Sequence, residues 1–155
     1  IDAACAVSAA LWQAECHRVR VAALSALSQG QSAIVFTAAG PDDPALPAVA
    51  EAAHRAGQSL GDVNEAIGTG LGQVLAQLGA IARVPRVVIA GGDTSSRATR
   101  GLGLVALTAK AAVAPAVPLL LGHAADPSTP PVELVLKGGQ MGAPDLFVTI
   151  RDGAA

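Results

Sequence analysis

The chain has 155 residues, enough for one compact domain (1–155) with a sizeable core. It is 52% hydrophobic, 2% aromatic and 14% charged, with a formal net charge of −2. That balance offers no basic field to draw in nucleic acid and almost no rings on which bases could stack, which argues against a nucleic-acid partner.

A core of Ala, Val, Leu and Ile, with 17 glycines for tight turns, favours a layered α/β protein over an aromatic-cored sandwich. The mean hydropathy of +0.49 raises the question of a membrane span. Lys110, Pro115 and Pro118 interrupt the longest apolar stretch, Leu102 to Leu121, which spoils it as a spanning helix. The expectation is a soluble, cytoplasmic protein with no membrane partner. Cys5 and Cys16 lack metal or redox spacing and read as reduced thiols. There is no signal peptide and no Met at position 1, and the sequence opens inside a helical pattern, as a piece of a longer chain would.

Taken in order, residues 6–27 alternate apolar and polar groups as an amphipathic helix closed by Gly30. Ser32 to Thr37 is a short β-branched run that predicts a buried strand. A turn-rich loop, Gly40 to Pro44, leads to a helix over 48–56, ended by Gly57. A longer helix spans 62–82, with Ile67, Leu71, Val74, Leu75, Leu78 and Ile81 at helical spacing. Its glycines Gly68, Gly70, Gly72 and Gly79 cost roughly 1 kcal/mol each against Ala, which implies close approach to a neighbouring element or a ligand. Val84 to Ala90 predicts a strand, a short helix follows over 95–102, and a second strand lies near 105–108. The Pro-rich stretch 115–131 has room for one brief strand around 119–121; further strands are predicted over 132–136 and, at an edge, 146–150. Strands alternating with helices predict an α/β fold: three layers, with a mostly parallel, mixed-edge sheet covered by helices on both faces.

Two glycine-rich loops leave the ends of predicted strands, where ligands gather in open α/β sheets. In the first, Gly91 and Gly92 let the backbone turn and approach a ligand closely. Asp93, Thr94 or Ser95 can cap the following helix, whose free N–H groups would face a phosphate. Ser96 adds a hydroxyl, and Asp93 is the candidate Mg²⁺ ligand. The second loop places Lys137 beside Gly138, Gly139 and Gly142, where an ammonium could offset phosphate charge. An ordinary strand–turn–helix and a solvated lysine before a turn account for the same residues.

Other motifs fail. No P-loop pattern occurs, Gly101 and Gly103 follow a helix where a dinucleotide motif would follow a strand, and no serine elbow is present. His17, His54 and His123 are scattered, without metal-ligand spacing.

The segments VVIAGGDTSS (87–96), Leu102-Gly103, Pro118-Leu119 and ELVLKGGQMG (133–142), with Asp145 and Phe147, resemble the C-terminal nucleotide-binding domain of the four-carbon acid sugar kinases. The resemblance is closest over 87–147 and looser over 1–86. It implies an ATP-dependent kinase acting on a threonate, erythronate or 3-oxo-tetronate-type acid. It also implies that Gly91, Gly92, Asp93, Thr94 and Ser95 contact the nucleotide phosphates or their Mg²⁺, and that Lys137, Gly139 and Gly142 line the nucleotide. The family's N-terminal domain, which binds the acid sugar and would supply the acceptor-activating base, has no counterpart in these residues. The implied cofactors are ATP and Mg²⁺. The implied partners are ATP or ADP, the sugar acid through the other domain, and a second copy of the chain through an uncovered apolar face. Two readings stand beside this one: a non-catalytic nucleotide- or anion-binding module, and a structural α/β domain whose glycine loops are only turns.

Overall fold

The computed structural model describes residues 1–82, 84–139 and 141–153, without the side chains of Asp93 and Thr94. They form two compact units, Ile1–Arg83 and Val84–Ala155. The chain is α/β: helices fill the first unit, and a four-stranded mixed sheet with helices makes the second.

The first unit opens with a 3-10 turn, Ala3–Val7, followed by α1 (Ala9–Ser28), α2 (Ala45–Arg55) and α3 (Leu60–Ile81). α1 stops where Gly30 takes φ 73°, a conformation cheap only for glycine. The Gly30 and Gln31 amides then donate to the carbonyls of Leu27 and Ala26, satisfying the helix's last acceptors. α3 starts at Ser59, whose hydroxyl accepts from the Asp62 amide at 3.1 Å and donates to the Asp62 carboxylate at 2.6 Å. Two small apolar clusters hold these helices: Ala3, Ala6, Trp12, Val49, Ala53, Val63 and Ile67, and Val19, Ala23, Val74 and Leu78.

Trp12 explains part of the glycine content of α3. Its indole lies directly on Gly70, so that a Cβ there would come within 2.8 Å of Cε2, and Nε1 donates to the Ala66 carbonyl at 3.1 Å. Gly79, by contrast, faces open space.

Glu15 joins the opening turn to α1. Its carboxylate accepts from the Asp2 amide at 2.7 Å and from Arg18 at 2.6 and 2.7 Å. The Arg18 hydrogen bonds come first in pulling its pKa down to about 2, with the Asp2 amide adding to them. A depressed carboxylate pKa contributes stability above the unfolded value, near 4.3, that is lost as pH falls toward 2. Glu15→Gln should therefore flatten the acid dependence of first-unit unfolding between about pH 4.5 and 2. Trp12 fluorescence in urea titrations at several pH values measures it, and an unchanged dependence contradicts the assignment.

Residues 32–37 depart from their sequence pattern. They lie outside the sheet, and Ile34 and Phe36 are 69% and 56% exposed, so the buried strand expected there is not formed. A β-branched run states a preference for extended backbone, but a strand needs a ladder partner that the run cannot supply. The terminal amine of Ile1 donates to the Phe36 carbonyl at 3.1 Å.

In the second unit the strands are β1 (Arg86–Ala90), β2 (Leu104–Ala114), β3 (Val117–Ala124) and β4 (Val132–Lys137), in the order β1-β4-β3-β2. Parallel pairing was expected to predominate, but only β1 and β4 pair in parallel; β4–β3 and β3–β2 are antiparallel. The reason lies at Pro115-Ala116. These two residues turn the chain back as a hairpin, with Ala116 at φ 59°; the strand expected near 105–108 lengthens into β2, and the brief strand around 119–121 into β3.

Two helices serve this sheet: α4 (Gly92–Gly101), which touches β1, β2 and β4, and α5 (Leu146–Asp152). The expected edge strand at 146–150 is thus a helix. Leu146 and Ile150, four residues apart, share one face in a helix or a strand alike, and as one turn of helix they pack on Val117, Leu119 and Val135.

Candidate functional site

Parallel pairing of β1 with β4 sets Ala90 opposite Lys137, the last residue of each strand. The two glycine loops therefore leave the sheet side by side. The Gly91 amide donates to the Lys137 carbonyl at 2.9 Å, carrying the ladder one step beyond the strands and tying the loops together. Gly91 does this at φ 127°, ψ 154°, a region essentially closed to residues with a Cβ.

α4 begins at the next residue, three positions earlier than the sequence suggested. Its cap is Gly91, with no side-chain cap among the described residues. The capping expected from Asp93, Thr94 or Ser95 takes another form. The Ser95 hydroxyl donates back to the Gly91 carbonyl, one helical turn before it, and Thr99 does the same to Ser95 at 2.7 Å. The Asp93 and Thr94 side chains lie outside the described atoms. No described side chain takes the first-turn amides of α4, which start at Gly92 and stand at the positive end of the helix dipole, where an anion is favoured. Nothing lies within 4 Å of where a Gly92 Cβ would stand, and Ser96 is exposed.

On the other loop the Lys137 ammonium donates to the Gly139 carbonyl, so it lies over its own turn. The Met141 amide closes that turn onto the Gly138 carbonyl at 3.0 Å. Gly138 and Gly139 are exposed with open space beside them, as close approach of a ligand to the backbone requires. Gly142 has a structural duty as well: at φ 101° it lies against Leu146, whose Cγ is 3.2 Å from where a Cβ would stand. Gln140 lies outside the described residues.

Sequence reasoning missed the anchor beneath these loops. The Arg86 guanidinium donates to Glu133 at 2.6 and 2.7 Å and to the Ile150 carbonyl of α5, while Glu133 also accepts from Lys110 of β2. Hydrogen bonds from Lys110 and then Arg86 hold the Glu133 carboxyl below its ordinary range. The cluster fastens α5 to the sheet, and α5 in turn supports Gly142 through Leu146. The signal was present as a charged residue at the start of each of two apolar runs, Arg86 and Glu133.

Among the described residues no three His, Cys, Asp or Glu side chains gather into a metal-binding group, and no helix is long and apolar enough to cross a membrane. His123 shares a 2.9 Å hydrogen bond with Thr108, and His17 one with Arg20, also at 2.9 Å.

Paired glycine loops at the carboxyl ends of neighbouring parallel strands, one running into a helix whose first turn no described side chain caps, have the parts of an anion-binding α/β domain. The chain belongs to the nucleotide-binding C-terminal domain family, whose model matches residues 1–147, across both units. It is 39% identical over 140 residues to a 3-oxo-isoapionate kinase of Paraburkholderia graminis, covering 90% of this chain and 30% of that protein. It is 31% identical over 123 residues to a 3-oxo-tetronate kinase of Cupriavidus necator, covering 79% of this chain and 26% of that protein. The chain thus spans less than a third of the curated relatives it matches. A crystal structure from Salmonella typhimurium LT2 superposes on 97% of this chain and 33% of its own, with a TM-score of 0.70 at 24% identity, a likeness of fold.

Proposed function

We propose that residues 1–155 form the ATP-binding domain of a kinase that phosphorylates a four-carbon sugar acid of the threonate, erythronate or 3-oxo-tetronate type. The observation that carries this reading is the Gly91–Lys137 backbone hydrogen bond. It sets an α4 first turn that no described side chain caps beside the only lysine in either loop. The two kinase relatives add the reaction class.

In this reading the α4 amides from Gly92 onward donate to the phosphate chain, with Thr94 and Ser96 as further donors. The Ser95 hydroxyl already holds the Gly91 carbonyl, so Ser95 shapes the cradle. Lys137 would exchange the Gly139 carbonyl for a phosphate oxygen, a stronger, charge-assisted partner. Gly138, Gly139 and Gly142 let the loop backbone lie close to the nucleotide. Asp93 is the residue assigned to Mg²⁺, which when bound offsets the charge of the β- and γ-phosphate oxygens.

Phosphoryl transfer depends on positioning donor and acceptor together. The acceptor side and its base are assigned to the acid-sugar domain of the longer protein. Accordingly, this chain alone should show negligible sugar-acid turnover. The chain joined to its upstream domain should phosphorylate at least one four-carbon acid with ATP, and no turnover across the panel of such acids contradicts the kinase reading.

A further inference from the structure

We infer that Met141 and Phe147 form an apolar ledge that receives the base of the nucleotide whose phosphates lie at the two glycine loops; this rests on the phosphate reading above. The chain has only three aromatic residues, one Trp and two Phe. Trp12 is buried against Gly70, whereas Phe147 stands 43% exposed in the first turn of α5. The same helix buries Leu146 and Ile150, so its apolar groups are divided between the core and the solvent. Met141, 45% exposed, belongs to the glycine loop itself.

The two side chains flank one contact. Gly142 lies against Leu146, so the residue before Gly142 and the residue after Leu146 border the same junction of loop and helix. The path from the α4 N-terminus to that junction is short and continuous. It crosses from the Gly91 amide to the Lys137 carbonyl and follows the turn closed by Met141 onto Gly138. The unit's other exposed large apolar side chains are Val148, next to Phe147 on α5, and Val105 and Leu107 on β2, which β3 separates from β4. A nucleobase has two apolar faces, and stacking on an exposed ring removes apolar surface of both from water.

The experiment is calorimetric titration of the intact chain with ADP and, separately, with inorganic pyrophosphate. Wild type, Phe147→Ala, Met141→Ala and Phe147→Tyr are compared, with melting curves to confirm folding. ADP should bind about tenfold or more tightly than pyrophosphate, the scale of one base stacked on one ring. Phe147→Ala should remove most of that preference while leaving pyrophosphate affinity unchanged. Met141→Ala should remove part of it, and Phe147→Tyr should keep it. Equal wild-type affinities for the two ligands, or a Phe147→Ala effect equal on both, overturns the ledge and leaves the phosphate site standing. If neither ligand binds the folded chain, the phosphate reading fails and the ledge with it.

Discussion

Gly70→Ala should destabilise the first unit by about 2–3 kcal/mol, although alanine is the better helix former by about 1 kcal/mol. The added methyl would stand 2.8 Å from Cε2 and 3.1 Å from Cζ2 of Trp12, inside contact distance of a rigid ring. The indole has little freedom to yield. It is buried among Ala3, Ala6, Val63 and Ile67, and its Nε1–H is held by the Ala66 carbonyl. Moving the ring breaks that bond and opens a cavity, and each loss exceeds the helix-propensity gain. Gly79→Ala, in the same helix but facing open space, should stabilise by up to about 1 kcal/mol. The chain's one tryptophan reports this unit directly, so urea midpoints followed by fluorescence compare the variants. Equal midpoints for the two contradict the packing described.

Gly91→Ala should lower ADP affinity by at least tenfold and destabilise the second unit by about 1–3 kcal/mol, the cost of a Cβ in this backbone region. Relief of that strain rotates the peptide away from φ 127°, which withdraws the amide from the Lys137 carbonyl and tilts the first turn of α4. Site and fold are therefore damaged by one movement. The Trp12 transition of the first unit should not shift. Gly92→Ala is the control for the fold alone, since its Cβ meets nothing within 4 Å of the protein and it begins a helix, so the second unit's melting should not fall. Calorimetry with ADP and far-ultraviolet melting separate the two variants; full ADP affinity in Gly91→Ala would mean that the loop junction plays no part in binding.

Much of this architecture was legible before the structure. Glycines in positive-φ conformations end α1 and α2 where the sequence placed their stops, at Gly30 and Gly57. β1 and β4 read clearly because each is an apolar run ending at a glycine loop. What the sequence hid were relations between distant residues. The 32–37 run looks like a strand, but its local pattern carries no information about a partner. Leu146 and Ile150 fit a strand or a helix by composition, and only packing on Val117, Leu119 and Val135 decides between them. Pro118 marked a loop, yet it lies within β3, opposite Ala112 of the edge strand β2.

The candidate site shows the same division. Its glycines and Lys137 were visible as motifs, and their adjacency follows from the parallel pairing of β1 with β4. The direction of the Ser95 hydroxyl was not legible, because a serine near a helix start serves as cap or as back-bonding donor with equal ease. Nor was the second role of Gly142, which depends on Leu146 lying against it.

The most direct measurement is calorimetric titration of the purified chain with ADP and a non-hydrolysable ATP analogue, with and without Mg²⁺, repeated on Asp93→Ala and Lys137→Ala. The account predicts Mg²⁺-dependent binding that weakens about tenfold in each variant, the scale of one charge-assisted contact. Nucleotide binding that both variants leave unchanged would put the phosphates elsewhere and contradict the site between the two glycine loops.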